Sequence, residues 1–124
     1  MEGKYRSYKN LIVWQKSMDM IVAVYDLLKE LPNSEKFGLQ AQIKRCAVNI
    51  PPNIAEGSMR KTKKDYQHFL IIAYGSGAEL ETQLEIINRI GFVEINSKKY
   101  QRAVNLLDEV MKMLNKILSN MRRG

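Results

Sequence analysis

The sequence contains few of the residues from which disulfide frameworks, zinc clusters and catalytic centres are built. Its 124 residues include one cysteine, Cys46, and one histidine, His68. A single cysteine excludes an intramolecular disulfide and a cysteine-based zinc cluster within one chain, and it suits a reducing compartment. A nucleophile, a base and an orienting group would have to come from very few candidates. We therefore expect no enzyme, no catalytic residues and no cofactor.

Long apolar runs and structure-breaking residues are also scarce. No segment approaches the roughly 20 apolar residues of a membrane span, and the opening MEGKYRSYKN is too polar for a signal peptide. Three prolines and seven glycines are too few for a fibrous or disordered chain. These absences favour a single folded domain over residues 1–124, in the cytoplasm and without membrane contact.

The charge of the chain is predominantly positive. There are 20 lysines and arginines against 13 aspartates and glutamates, which gives a net charge of +7. Such an excess favours a polyanionic partner. The basic residues group in three parts of the chain, namely 1–16, 44–64 and 98–124, whereas residues 79–94 contain four glutamates and one arginine. The asymmetry indicates a basic face.

The spacing of apolar residues predicts four helices and no strand. The first helix runs from Leu11 until Pro32 stops it, with apolar residues at steps of three and four. These residues are Leu11, Trp14, Met18, Ile21, Val22, Tyr25 and Leu28. The fourth helix has the clearest stripe, begins at Asn96 or Ser97 and ends near Met121. Short loops between four helices indicate an all-α, antiparallel up-and-down four-helix bundle.

The second and third helices carry the strongest local signals. Pro51-Pro52 lies inside the second helical pattern, so we expect a kinked second helix that ends at Gly57 as its C-cap. Thr62 followed by Asp65 resembles a capping box and marks the start of the third helix. That helix meets no further proline before Gly91, which predicts a length of roughly 28 residues, or about 42 Å.

The third helix has two apolar faces. At 100° per residue, one set surrounds Ala73 and predicts the core face: Tyr66, Phe69, Leu70, Gly77, Leu80, Leu84, Ile87 and Ile90. A second set lies on the other side: Ile71, Ile72, Gly75, Ala78, Thr82 and Ile86. We expect the second set to contact another copy of the chain, because contiguous apolar patches mark interfaces. The alternative is a tolerated surface of small residues.

Two glycines in the middle of the third helix support this expectation. A mid-helix glycine costs about 0.5–1 kcal/mol relative to alanine. Close helix contacts are the simplest compensation, with Gly77 directed to the core and Gly75 to a neighbouring subunit.

Basic and aromatic residues interleave in the segment Lys4-Tyr5-Arg6-Ser7-Tyr8-Lys9. We expect residues 1–10 to be a mobile basic arm. Lysine and arginine neutralise phosphates, while aromatic rings stack unpaired bases. Together with the basic residues of 44–64, this predicts nucleic-acid contacts from Lys4, Arg6, Lys9, Lys44, Arg45, Arg60, Lys61, Lys63 and Lys64. No base-reading motif is present, so binding of RNA or DNA should be largely independent of sequence.

Other interpretations of the polar residues stay open or are weak. The basic charge could serve solubility alone, in which case the protein is an interaction scaffold for another protein.

Asn53 and Glu56 flank the expected kink and are predicted to have structural polar roles there. Asp65 and His68 have a spacing used in metal-binding bundles, but a second such element is missing, so no metal site is expected.

Four segments, taken in order, resemble the four-helix-bundle proteins of the 23S rRNA intervening-sequence family. They are Glu35-Lys-Phe-Gly-Leu39, Gln42-Ile-Lys-Arg45, Asn53-Ile-Ala-Glu-Gly57 and Ala73-Tyr-Gly-Ser-Gly-Ala-Glu-Leu-Glu-Thr82. Trp14 early in the first helix and Leu31-Pro32 before the second also fit the family pattern. The second proline of Pro51-Pro52 and the asparagine at Asn49 depart from it.

The resemblance implies a ring-like homo-oligomer, a pentamer among relatives, encoded within rRNA intervening sequences or elsewhere in bacterial genomes. It also implies a relation to the accessory variability proteins of diversity-generating retroelements. In that branch the partners are nucleic acid and a reverse transcriptase. Neighbouring genes, rather than this sequence, decide between the two branches.

Overall fold

The computed structural model describes residues 7–123, and its regular structure there is helical. Two 3-10 turns, Tyr8–Asn10 and Asn33–Glu35, accompany five helical segments. These segments are α1 Ile12–Leu28, α2 Leu39–Val48, α3 Ile50–Ser58, α4 Lys63–Ile90 and α5 Lys98–Arg123. Because α2 and α3 are two parts of one bent helix, the predicted four-helix bundle with a kinked second helix is confirmed.

The bundle has a square arrangement of helices. α1 packs against α5 and against the bent helix α2–α3, and α4 packs against the same two neighbours. Within the described part of the chain, α1 and α4 share no contact, so they occupy diagonal corners. The core consists of side chains with almost no exposed surface: Met20, Leu27, Leu28, Ile43, Ile50, Ile54, Leu70, Leu80, Leu84, Ile87, Leu107 and Leu114. Burial of each such side chain contributes about 1.5–3 kcal/mol.

The buried face of α1 differs from the regular apolar stripe in its sequence. Met18, Val22 and Tyr25 are exposed, and Val22 retains 66% of its surface. The buried residues of α1 are Val13, Ser17, Met20, Ala23, Val24, Leu27 and Leu28. α1 is apolar around most of its circumference. Packing against α5 and α2–α3 therefore decides which of its faces is buried. Ser17 is tolerated there because its hydroxyl donates to the Trp14 carbonyl at 2.7 Å.

The bend between α2 and α3 occurs at Asn49. Pro51 and Pro52 lie in the first turn of α3, where backbone N–H groups have no helical partner. The Asn49 side-chain amide donates to the Ser76 hydroxyl of α4 at 2.9 Å. The Asn53 side-chain amide donates to the Asn49 backbone carbonyl at 2.7 Å. The Asn49 side chain therefore ties the bend to α4, and Asn53 adds a bond within the bent helix.

Gly57 lies inside α3 and is not its C-cap, so that prediction is wrong. α3 continues to Ser58, and Gly57 has no positive φ. A Cβ at this position would lie 2.9 Å from Cβ of Phe69 and 3.2 Å from the carbonyl oxygen of Tyr66. The glycine permits close approach of α3 to α4. A true C-cap glycine is Gly91, with a φ of 97° at the end of α4.

The close approach at Gly57 leads to a stability prediction. We expect Gly57→Ala to lower the free energy of unfolding by about 1–3 kcal/mol, because the new methyl group meets Cβ of Phe69 and the carbonyl oxygen of Tyr66, which move only with the backbone of α4. Urea denaturation followed by circular dichroism measures the change. An unchanged or higher midpoint would show that α3 can move away from α4 without cost.

Most details of α4 and α5 follow the sequence prediction. The Thr62 hydroxyl accepts from the Asp65 amide at 3.1 Å, and the Ser97 hydroxyl accepts from the Tyr100 amide at 3.2 Å. Gly77 faces the core, where a Cβ would clash with Sδ of Met111. Ile90 is the exception, because it is 57% exposed. At 100° per residue it lies about 100° from the direction of Ala73, so it belongs outside the core face.

Candidate nucleic-acid interface

The antiparallel topology brings separate basic segments to one end of the bundle. α1 and α4 begin at this end, whereas α3 and α5 finish there. The turn Tyr8–Asn10 contacts both α1 and α3, which joins the N-terminal segment to the same end. We call this surface the basic end and define it by Lys9, Arg60, Lys61, Lys63, Lys64, Arg122 and Arg123. Nearby acidic residues are Glu56 and Asp65.

Arg60 is engaged within the fold. Its guanidinium pairs with Glu56 at 2.8 Å and lies 4.8 Å from the centre of the Phe69 ring. Arg60 therefore ties the end of α3 to α4, and Glu56 offsets its charge. Lys61, Lys63 and Lys64 differ, because they are exposed and form no ion pair within residues 7–123.

The positions of Lys63 and Lys64 do not favour the stability of the fold. They occupy the first turn of α4, where the helix dipole is positive. A cation there is unfavourable by about 0.3–1 kcal/mol. Arg122 and Arg123 lie in the last turn of α5, where the dipole favours cations. The helix dipole therefore gives no stabilisation to Lys63 and Lys64, and the same holds for Lys98 in the first turn of α5.

The other end of the bundle has mixed and paired charges. Asp26 lies 3.8 Å from the Lys29 ammonium and 3.5 Å from that of Lys99. Arg89 pairs with Glu85. Lys36, Lys98 and Arg102 form no ion pair there within residues 7–123, but Glu30, Glu35 and Glu94 lie at the same end, so the excess of positive charge is larger at the basic end.

A groove between α4 and α5 is acidic. Glu81, Glu85 and Asp108 line it. The pKa of Glu81 is raised by burial and, second, by the negative charge of Asp108. Such a surface repels phosphates and other anions.

A second groove opens at the basic end, with a volume of about 450 Å³. Its walls come from the N-terminal turn on one side and from the α3–α4 connection with the first turns of α4 on the other. The lining includes Tyr8, Asn10, Leu11, Ser58, Met59 and Tyr66. The Tyr8 ring contacts Trp14 edge to face, with 5.4 Å between centroids. Burial raises the pKa of the Tyr66 hydroxyl, which keeps it neutral and able to donate.

Not every predicted phosphate contact joins the basic end. Lys44 and Arg45 lie in α2, roughly 20 Å away at 1.5 Å per residue. The Lys44 ammonium lies 5.0 Å from the centre of the Tyr25 ring, whereas Arg45 lines a groove with Glu79 and other residues of α4. Lys4 and Arg6 lie outside the described residues. The sequence interpretation also omitted Arg122 and Arg123, since only the helix topology places them at the same end of the bundle as Lys63.

Cys46 lies beside Ser76 and Glu79, away from the basic end. Its thiol is buried and donates to the Ser76 carbonyl at 3.0 Å. Burial, with a smaller effect from Glu79, raises the pKa of the thiol to about 11. The thiol is therefore protonated at neutral pH and is a poor nucleophile. Within the described range, no three His, Cys, Asp or Glu side chains converge as a metal site requires.

The second apolar set of α4 lies on the molecular surface. We call it the α4 stripe, and it consists of Ile71, Ile72, Gly75, Ala78, Thr82 and Ile86. Ile71 is 54% exposed, and a Cβ at Gly75 would meet no atom within 4 Å. The Thr82 hydroxyl donates to the Ala78 carbonyl at 2.9 Å, so burying it would leave no unpaired donor. None of the described helices has the length and apolar character needed to cross a bilayer.

Comparison with known proteins places the chain in a family. Residues 9–116 match the family model of the 23S rRNA-intervening sequence protein. No curated protein matches the chain. A similar crystal structure is that of a protein with unknown function from the S23 ribosomal protein family of Bacteroides thetaiotaomicron. That protein is 30% identical, with a TM-score of 0.77, and the match covers 86% of this chain and 98% of the other. The chain belongs to the 23S rRNA-intervening sequence protein family.

Proposed function

We propose that this protein is a non-enzymatic homo-oligomer that binds RNA or DNA through the basic end of the bundle. The observation that carries the proposal is the cluster of exposed lysines at Lys61, Lys63 and Lys64, none of which forms an ion pair with another residue of 7–123. Two of them lie in the first turn of α4, where the helix dipole does not stabilise a cation, so their charges are available to an anionic ligand.

Phosphate neutralisation is the chemistry that this surface supports. The basic end presents ammonium and guanidinium groups from three segments of the chain, and each can neutralise one phosphate. Its cations come from loops and helix ends, with no helix or strand shaped to enter a groove and read base edges. Recognition should therefore depend on the backbone and tolerate many sequences.

Two apolar surfaces on diagonal helices support the homo-oligomer. The α4 stripe lies at one corner of the bundle, and Met18, Val22 and Tyr25 of α1 form a second surface, the α1 face, at the opposite corner. A cyclic oligomer larger than a dimer needs two different surfaces that fit each other. We propose that the α4 stripe of one copy packs on the α1 face of the next.

A ring of this kind would repeat the basic end. Rotational symmetry gives all copies the same orientation, so packing along the sides of the bundles places every basic end on one side of the ring. Several weak contacts with one strand then act together and raise the overall affinity. The resemblance of the sequence to ring-forming relatives favours a pentamer.

The family suggests the natural partner. Its description refers to intervening sequences of 23S rRNA, which makes RNA the first ligand to test. A role beside a retroelement reverse transcriptase is the other possibility that the resemblance implies. A reverse-transcriptase gene and a template repeat next to this gene would favour that role, whereas a position inside an rRNA gene would favour the intervening-sequence role.

Binding can be tested by a salt-dependent titration. Nuclease-treated protein is titrated against fluorescently labelled single-stranded and hairpin RNA and DNA, and anisotropy is measured over a range of salt concentrations. We expect log K to fall with log salt with a slope of about −2 or steeper, since each neutralised phosphate contributes about −0.7 for single strands. No binding even at low salt would reject the proposal and leave a protein-interaction scaffold as the remaining function.

A further inference from the structure

We infer that the groove between Tyr8 and Tyr66 accepts one unpaired base, so that the basic end prefers single-stranded nucleic acid to a duplex. The inference deepens the proposed function and rests on it. It comes from three observations: the volume of the groove, the aromatic and apolar side chains of its walls, and the cations beside both walls.

The size and lining of the groove suit a flat apolar ligand with a polar edge. Its volume of about 450 Å³ accommodates a purine or pyrimidine together with part of its sugar. Tyr8 and Tyr66 supply aromatic surface, and the Met59 side chain supplies a polarisable thioether. Asn10 and Ser58 add an amide and a hydroxyl that can bond to the edge of a base.

Tyr8 is held in place before any ligand arrives. Its ring packs edge to face on Trp14 with an interplanar angle of 63°. The backbone around it forms a 3-10 turn, in which Ser7 caps the Lys9 amide at 2.9 Å. A stacking surface fixed in this way loses little side-chain entropy on binding.

Cations flank both walls at positions where a strand would carry phosphates. Lys9 lies next to Tyr8 in the N-terminal turn. On the other wall Lys63 precedes Tyr66 by nearly one helical turn, whereas Arg60 is already paired with Glu56. A nucleotide whose base enters the groove therefore has a cation near the phosphate on either side. A base in a duplex is already paired and stacked, and cannot enter without leaving the helix.

Carboxylates make two other grooves poor sites for a nucleotide. Glu79 lines the groove between α2 and α4, and Glu81, Glu85 and Asp108 line the groove between α4 and α5. Each would place negative charge next to the phosphates of a bound strand. Among the described residues, those that line the groove at the basic end include no carboxylate.

The test compares two labelled strands of equal length, an oligothymidylate and an abasic oligomer with the same sugar-phosphate backbone. We expect the oligothymidylate to bind about 5- to 150-fold more tightly, which is the range for stacking one base. Equal affinity for the two strands would overturn the inference and leave the proposed function intact. Failure of both strands to bind would reject the proposed function itself.

Two variants test whether the preference for oligothymidylate arises in this groove. Tyr8→Leu keeps apolar bulk against Trp14 but removes the aromatic ring, and Met59→Ala truncates a side chain that is 59% exposed, so it should not affect folding. Both should reduce the preference for oligothymidylate while the slope of log K against log salt stays unchanged, because no phosphate contact is lost. Phe37→Leu, at a residue 89% exposed at the other end of the bundle, is the matched control. An undiminished preference in both groove variants would place the base elsewhere.

Discussion

The double variant Lys63→Glu/Lys64→Glu is expected to bind single-stranded RNA about 100-fold more weakly than the parent at low salt. Each lysine is exposed and forms no ion pair within the described segment. A charge-assisted contact contributes about 1.5–3 kcal/mol, so the loss of two contacts is worth at least a factor of 100. The slope of log K against log salt should become shallower by about 1.4, which corresponds to two phosphates. Fluorescence anisotropy measures both quantities.

The same variant should also be more stable than the parent. Glutamate in the first turn of α4 interacts favourably with the helix dipole, whereas lysine does not. The gain is about 0.3–1 kcal/mol for each residue at low ionic strength, and urea denaturation measures it. Weaker binding together with higher stability would separate the function of these lysines from their contribution to the fold.

A matched control distinguishes location from total charge. Lys36→Glu/Lys98→Glu makes the same change in net charge at the other end of the bundle, and Lys98 also occupies the first turn of its helix. We expect this control to bind RNA within a few-fold of the parent, since distant charges are screened beyond about 10 Å at 0.1 M salt. An equal loss of affinity in both double variants would contradict the assignment of the basic end.

If the protein forms the proposed homo-oligomer, Ile71→Glu/Ala78→Glu is expected to give monomers while helicity is unchanged. Both residues belong to the α4 stripe, and neither contributes to the core. Burying an unpaired carboxylate at a subunit contact costs several kcal/mol, which exceeds what the stripe can recover from apolar burial. Light scattering measures the mass, and circular dichroism measures the helicity.

The arrangement of the contact can be tested with a second variant. Val22→Glu damages the α1 face and should also give monomers. Each of the two variants keeps one intact surface, so mixing them should produce a heterodimer that cannot grow further. Ile95→Glu, at a residue 62% exposed in the α4–α5 connection, serves as the control and should keep the parental mass. An unchanged mass in the stripe variant would reject the α4 stripe as the contact.

The sequence predicted the helices well because their signals are local. Apolar spacing and the capping residues Thr62 and Ser97 act within one or two turns. The buried face of α1 was not predictable in this way, since that helix is apolar on several sides and its neighbours select the face. Gly57 looked like a C-cap because a glycine that ends a helix and a glycine that admits a second helix are indistinguishable in one sequence.

The candidate site was only partly predictable for a related reason. Composition identified Lys61, Lys63 and Lys64, which are neighbours in sequence. It could not show that Arg60 is engaged by Glu56 and Phe69, because these contacts depend on how α3 packs against α4. Lys44 and Arg45 adjoin in sequence, yet a rotation of about 100° per residue sends them to different sides of α2.

The single buried thiol makes the contact between α2 and α4 measurable over time. Cys46 lies in α2 and bonds to the Ser76 carbonyl of α4, with a pKa of about 11. A thiol reagent can react with it only while the two helices are transiently apart, because reaction requires an accessible thiolate. The labelling rate therefore reports the free energy of this local opening, distinct from that of global unfolding. The native chain thus contains its own probe of motion at the bend, with no engineered label.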